Sequence, residues 1–162
     1  MIIHVLNKNT LIIDDFILRC CIGKKGLNSN KKEGDQSTPK GLFKLKKLYF
    51  RKDRVGIPKC KLDKKVITKN LAWCDDSTHK KYNEEIKDFS NKSRERFYRA
   101  DNKYDYLITI NQNEKKIPYK GSAIFLHLTD NYKPTAGCIA LKKKDFEIIL
   151  KLIDQNTKIR IG

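Results

Sequence analysis

The apolar residues of this chain come in short runs, and that constrains its fold more than any other feature. "MIIHVL", "FILRCC", "YLITI" and "AIFLHL" are rich in Ile, Val, Leu and Phe, and polar clusters end each run within a few residues. Such runs read as β-strands. "MIIHVLNKNTLIID" is two of them around Asn7-Lys8-Asn9, a hairpin signal, and "FILRCCIG" continues as a third strand closed by Gly23. His4, inside the first run, is expected on the exposed face of an edge strand. From Gly23 to Gly41 the chain is rich in Gly, Ser, Asn and Lys and reads as a long loop. "LFKLKKLYF" follows as a strand whose apolar residues do not alternate cleanly. Tyr104–Asn111, Ser122–Leu128 and Lys158–Ile161 are further β-runs.

One segment has a clear helical period. Phe146, Ile149, Leu150 and Ile153 fall at i, i+3, i+4 and i+7, with Asp145 as the expected cap. Residues 53–104 are the least patterned; two short helices are expected there, around 83–91 and 93–100. The expected class is mostly β with a few helices (α+β), with residues 1–162 forming a single domain of ordinary size.

The chain carries 36 Lys+Arg against 19 Asp+Glu, a formal charge of +17. An excess of that size favours polyanions. The lysines are nevertheless spread along the whole length, and runs such as Lys142-Lys143-Lys144 are short, so the charge reads as a general background. No basic helix with interleaved aromatics occurs, and no specific nucleic-acid partner is expected. No stretch of about 18 apolar residues is present, so no membrane span is expected. The five cysteines include no CxxC pair, which argues against a metal site. Cys20 and Cys21 are adjacent on a strand and are expected to face opposite ways, so that both cannot point inward.

His127 closes the run "AIFLHL", and Cys138 follows eleven residues later in "PTAGCIAL". A strand end, a polar loop and a Gly-Cys step can fold back over that distance. An imidazole could then take the proton of a thiol that is otherwise mostly un-ionised at pH 7. Gly137 leaves room beside the sulfur, and the N–H groups of Gly137 and Cys138 are candidate oxyanion donors. The plainer reading is a satisfied core histidine and a small buried cysteine. The pair alone does not decide between them.

Beyond the pair, "GSAIFLHLTDNYKPTAGCIAL" resembles the signature of the L,D-transpeptidase catalytic domain family, the YkuD domain. His127 matches its strand-borne histidine, and Thr135, Gly137 and Cys138 match its Ser/Thr-x-Gly-Cys segment. "EGDQSTPKGLFKL" resembles a second family element through Gly34, Thr38, Pro39, Gly41 and Phe43. "WCDDSTHKKYN" and "SRERFYRADNKYDYLITINQN" resemble a short bacterial subfamily.

The resemblance implies a mixed β-sheet or sandwich around a catalytic cleft, and acyl transfer on peptidoglycan stem peptides. It implies Cys138 as nucleophile, His127 as proton acceptor and then donor, and Thr135 and Gly137 as shapers of the loop. No cofactor or metal is needed for that chemistry, and a carbapenem adduct on the thiol is expected. Trp73, Asp75, Asp76 and Arg96 are candidate substrate-binding residues. The chain departs from many family members at Ala136 and Ala140, where His and Arg or Asn are common, and Arg94, Arg96 or Arg99 are candidates to hold the substrate carboxylate instead. A monomer is expected. The family implies the cell envelope or periplasm; no secretory leader is visible, which leaves a cytoplasmic form open. Two alternatives stand beside the transpeptidase: a carboxypeptidase or D-amino-acid exchange enzyme on the same thioester, and a basic polyanion- or nucleic-acid-binding protein.

Overall fold

A computed structural model of the chain describes residues 1–87 and 94–162. Strand accounts for 37% and helix for 9%, so the fold is mostly β. β1 (Ile2–Val5) and β2 (Thr10–Ile13) form the expected hairpin, and β3 (Phe16–Cys21) follows. Two short strands, β4 (Leu27–Asn28) and β5 (Thr38–Pro39), pair inside the long loop. Next come the ten-residue β6 (Gly41–Phe50), the one-turn helix α1 (Lys52–Val55) and β7 (Asp63–Val66). β8 (Leu71–Trp73), β9 (Glu85–Lys87) and β10 (Glu95–Arg96) make a small separate sheet with β8 in its middle. The chain ends with β11 (Tyr106–Ile110), β12 (Phe125–Leu128), β13 (Ile139–Leu141), α2 (Lys143–Leu152) and β14 (Lys158–Ile161).

The two helices expected between 83 and 100 are instead strands and turns over their described residues; positions 88–93 lie outside them. The reason is tertiary. Ala72 of β8 pairs with Ile86 on one side and Arg96 on the other, and that ladder outweighs local propensity.

The main sheet runs β11-β12-β13-β3-β2-β1-β14-β6-β7, and a further pairing of β11 with β6 closes all but β7 into a ring. β1 therefore lies between β2 and β14, so His4 is half-buried on an inner strand, not on an edge. The inner face of the ring is apolar: Leu48, Ile108, Leu126, Leu128, Ile139 and Leu141 belong to one buried cluster. α2 lays its stripe of Phe146, Ile149 and Leu150 on that cluster, with Phe146 stacked on Tyr106 at 5.7 Å. Asp145 sits in the first turn of α2 rather than at its cap, which is Lys142. A carboxylate there still favours the positive end of the helix dipole.

The opposite face of β6, β11 and β12 carries a second, aromatic cluster. Tyr49, Leu107 and Phe125 point into it, and Leu71 and Phe97 of the small-sheet region complete it. With both faces of β6 covered over its second half, Leu48, Tyr49 and Phe50 are all buried, which explains the broken alternation in "LFKLKKLYF". Both faces of β3 are covered too at its end. Cys20 and Cys21 point opposite ways, yet both are buried: Cys20 joins the main cluster, and Cys21 donates to the Lys133 carbonyl at 3.3 Å.

Phe97 holds the small sheet to the ring. It is fully buried and makes ring contacts with Tyr49, Trp73, Tyr104 and Phe125 at 5.1, 6.2, 5.9 and 5.5 Å. Phe97→Ala is expected to cost about 3–5 kcal/mol through the cavity it leaves. In urea titrations this should lower the midpoint at an unchanged m value.

Candidate active site

β12 and β13 run parallel, with Leu126 opposite Ile139, His127 opposite Ala140 and Leu128 opposite Leu141. Side chains alternate along a strand and directly opposed residues share a face. Leu126, Leu128, Ile139 and Leu141 therefore turn to the core, while Phe125, His127, Cys138 and Ala140 turn to the other side. Pairing across the sheet extends this face into a row: Tyr49, Leu107, His127, Ala140, Cys21. His127 and Cys138 are thus diagonal neighbours on one surface, and both line one cavity of about 550 Å³.

The His127 ring is buried, and Nδ1 lies 2.8 Å from the Leu128 carbonyl oxygen. A carbonyl only accepts, so Nδ1 carries the hydrogen and Nε2 is left with the lone pair. Burial pushes the imidazole pKa down to about 4, against the pull of the Leu128 carbonyl. The imidazole is therefore neutral at pH 7 and equipped as a base. Cys138 is half-buried; its Sγ donates to the Ala123 carbonyl at 3.2 Å and accepts the Phe125 N–H at 3.4 Å. Burial pushes this thiol up to about 12; the Phe125 N–H works against that, and Glu95 adds to it. Two neutral groups face one cavity. Ala123 turns its carbonyl to the sulfur from a left-handed conformation (φ 53°), with its N–H on Asn83 Oδ1 at 3.2 Å.

The loop before Cys138 is tied at several points. Thr135 Oγ1 donates to the Cys138 carbonyl at 2.6 Å and accepts the Gly137 N–H at 3.0 Å. The Gly137 amide can therefore serve an oxyanion only by leaving Thr135, whereas none of these bonds takes the Cys138 N–H. Thr38 Oγ1 donates to the Gly137 carbonyl at 2.7 Å and accepts the Gly23 N–H at 2.9 Å. Gly137 has φ 150°, and a Cβ on it would lie 2.9 Å from the Ser37 carbonyl oxygen; one on Gly23 would lie 2.7 Å from that of Gln36. Glycine is needed at 137 for the approach of residues 36–38, so the Thr38-Pro39 element acts as a brace for the cysteine loop.

Of the four candidate substrate-binding residues, Asp75 lines the cavity. Its carboxyl is pushed up by burial, with Glu95 and Glu33 adding to the effect. Trp73 packs behind the cavity, stacked on Phe97 and edge-on to Phe125 at 5.5 Å, with Nε1 donating to Asn83 at 2.9 Å. Asp76 closes a turn by accepting the Thr78 N–H and hydroxyl at 2.9 and 2.7 Å. Arg96 lies exposed on β10, and Arg99 is the arginine among the described lining residues. Lys103, Lys133, Glu33, Glu95 and Tyr104 also line the cavity. Sequence reasoning passed over Thr38 as a brace, Asn83 as an anchor, and Tyr104. The first carried a signal, the Thr-Pro-x-Gly turn; the other two are joined to the site only by folding.

The family model for the L,D-transpeptidase catalytic domain, YkuD, matches residues 3–161. Among solved structures, one titled "Structure of Bdellovibrio bacteriovorus Bd1075" is 16% identical at a TM-score of 0.49, covering 99% of this chain and 47% of that one. This chain thus spans less than half the length of that solved chain. None of the curated proteins compared matches.

Two predictions follow from this geometry. Thr38→Val keeps the side-chain shape but leaves a buried N–H and a buried carbonyl unpaired, which should cost about 1–3 kcal/mol, read as a lower Tm. Alkylation of Cys138 by iodoacetamide, followed by peptide mapping, should climb steadily as pH rises through the alkaline range. A flat rate from pH 5 to 9 would instead mean a resting thiolate–imidazolium pair.

Proposed function

The chain belongs to the L,D-transpeptidase catalytic domain family, and on that premise we propose that it is a cysteine acyltransferase acting on peptidoglycan stem peptides. The family acts on such peptides. The observation that carries the reading is the parallel β12–β13 pairing, which sets His127 and Cys138 on one face at the wall of one cavity. Residues 1–162 would work as one catalytic domain, in the cell envelope where the substrate lies.

In this reading Sγ attacks the carbonyl carbon of the third residue of a donor tetrapeptide while Nε2 of His127 takes the thiol proton. A resting ion pair is not required: with both groups neutral, proton transfer accompanies attack. The Phe125 N–H stays on the sulfur as charge develops there. The Cys138 N–H is the donor best suited to the oxyanion. The tetrahedral intermediate collapses as the imidazolium hands its proton to the departing D-alanine nitrogen, leaving a Cys138 thioester. An acceptor amine then takes the acyl group, or water does. The hydrolytic and exchange alternatives share every step up to the thioester, so mass spectrometry of muropeptides separates them by product.

Incubation with a carbapenem is expected to add one mass equivalent to the wild-type protein and none to Cys138→Ala. An adduct that persists in the variant would remove Cys138 from the role of nucleophile. His127→Ala should retain the fold and lose about 10²–10⁴ in the rate of adduct formation.

A further inference from the structure

The His127 ring is seated by a residue that the chemistry above does not use. Tyr104 meets it edge-on, with centroids 5.2 Å apart and 72° between planes. Tyr104 is 6% exposed and wedged against Phe97 and Phe125 at 5.9 and 6.3 Å. Its hydroxyl donates to Glu95 Oε1 at 2.6 Å. Glu95 lies on β10 and Tyr104 just before β11, so this bond joins the small sheet to the ring of strands. Arg99 lies over the same tyrosine at 5.2 Å and is itself fixed by two bonds to Asp101 at 2.8 and 2.7 Å.

Packing alone would be served by phenylalanine here. A buried phenol without a partner is costly, so the Tyr104–Glu95 pair makes sense as a tether. His127 needs one. A single hydrogen bond at Nδ1 leaves the ring free to tilt about that bond, and the edge of Tyr104 removes this freedom. The same ring keeps water from the imidazole, whose charged neighbours are Lys103, Arg99 and Asp101 on the loop before β11, with Glu95 on β10 and the Cys138 thiol beside β13 also lining the cavity.

We propose that Tyr104 and Glu95 are positioning residues for acyl transfer: the phenol, tethered to the small sheet by Glu95, holds the His127 imidazole where Nε2 can take the Cys138 proton. The inference rests on the reading of His127 as the base. Misplacing a reacting group by about 1 Å costs about 10²-fold, and losing one hydrogen bond to a carboxylate costs about tenfold.

The test measures D-alanine release from a synthetic stem tetrapeptide together with an NMR titration of the His127 ring. Tyr104→Leu should lower kcat by about 10²-fold with KM little changed. It should also raise the apparent pKa of His127 towards the ordinary value near 6.5, because water regains the ring. Tyr104→Phe and Glu95→Leu should each lose about tenfold, and the double variant no more than either, since both remove one bond. Glu95→Gln, whose amide oxygen still accepts from the phenol, should come close to wild type. Additive losses in the double variant, or an effect on KM alone, overturn the proposal. If the wild type releases no D-alanine, the functional reading fails, and the titration still decides: an unmoved His127 pKa in both Tyr104→Leu and Tyr104→Phe/Glu95→Leu overturns the positioning role.

Discussion

The parallel pairing of β12 with β13 is the constraint on which the site depends. Its register is not enforced by His127 or Cys138. Leu126, Leu128, Ile139 and Leu141 enforce it, because each is almost wholly buried in the main cluster. A slip of β13 by one residue would send Ile139 and Leu141 to the wrong face and carry Cys138 into the core. The placement of the thiol beside the imidazole is thus a by-product of apolar packing on the far side of the sheet. It is also precise for that reason, since a close-packed interior does not tolerate small displacements.

Strand pairing fixes where the sulfur is; the loop from Gly23 to Gly41 fixes the approach to it. Thr38 bonds to Gly23 on one side and to Gly137 on the other, and both glycines are in contact range of the backbone at 36–37. Asp35 organises this loop in turn, accepting the Ser37 and Lys32 N–H groups and the Lys31 ammonium. Those bonds hold its carboxyl far below the usual carboxylate range despite the opposing effect of burial. The result is a loop with only the short β4–β5 pairing for regular structure, tied by these polar contacts where it lies against the Cys138 turn.

Much of this was legible in the chain. The Asn7-Lys8-Asn9 turn, the stripe from Phe146 to Ile153 and the terminal strand from Lys158 are local patterns, and each formed as written. The His127 and Cys138 pair could be read because strand, turn and glycine signals all lie within one short stretch. What could not be read depends on distant partners. β9 and β10 exist because β8 lies between them. Cys21 is buried because the loop carrying Lys133 covers a face that a strand reading leaves open. Trp73, beside two aspartates in sequence, is drawn behind the cavity by Phe97, Phe125 and Asn83, none of which is its neighbour in the chain.

The same distinction bears on the charge. A polyanion-binding protein needs a surface of one sign, and a formal +17 invites that reading. The cavity does not share the bias of the whole. Two of its cationic groups, Lys31 and Arg99, are engaged by Asp35 and Asp101. Glu33, Asp75 and Glu95 line the same cavity as Cys138; Glu33 holds the Ser122 and Tyr82 hydroxyls and Glu95 holds that of Tyr104. Carboxylates on the cavity lining disfavour a bare anion held close to them. Lys103 and Lys133 line the same cavity, so its lining presents both signs of charge. The formal charge of the whole chain is therefore a poor guide to this cavity, whose lining mixes both signs.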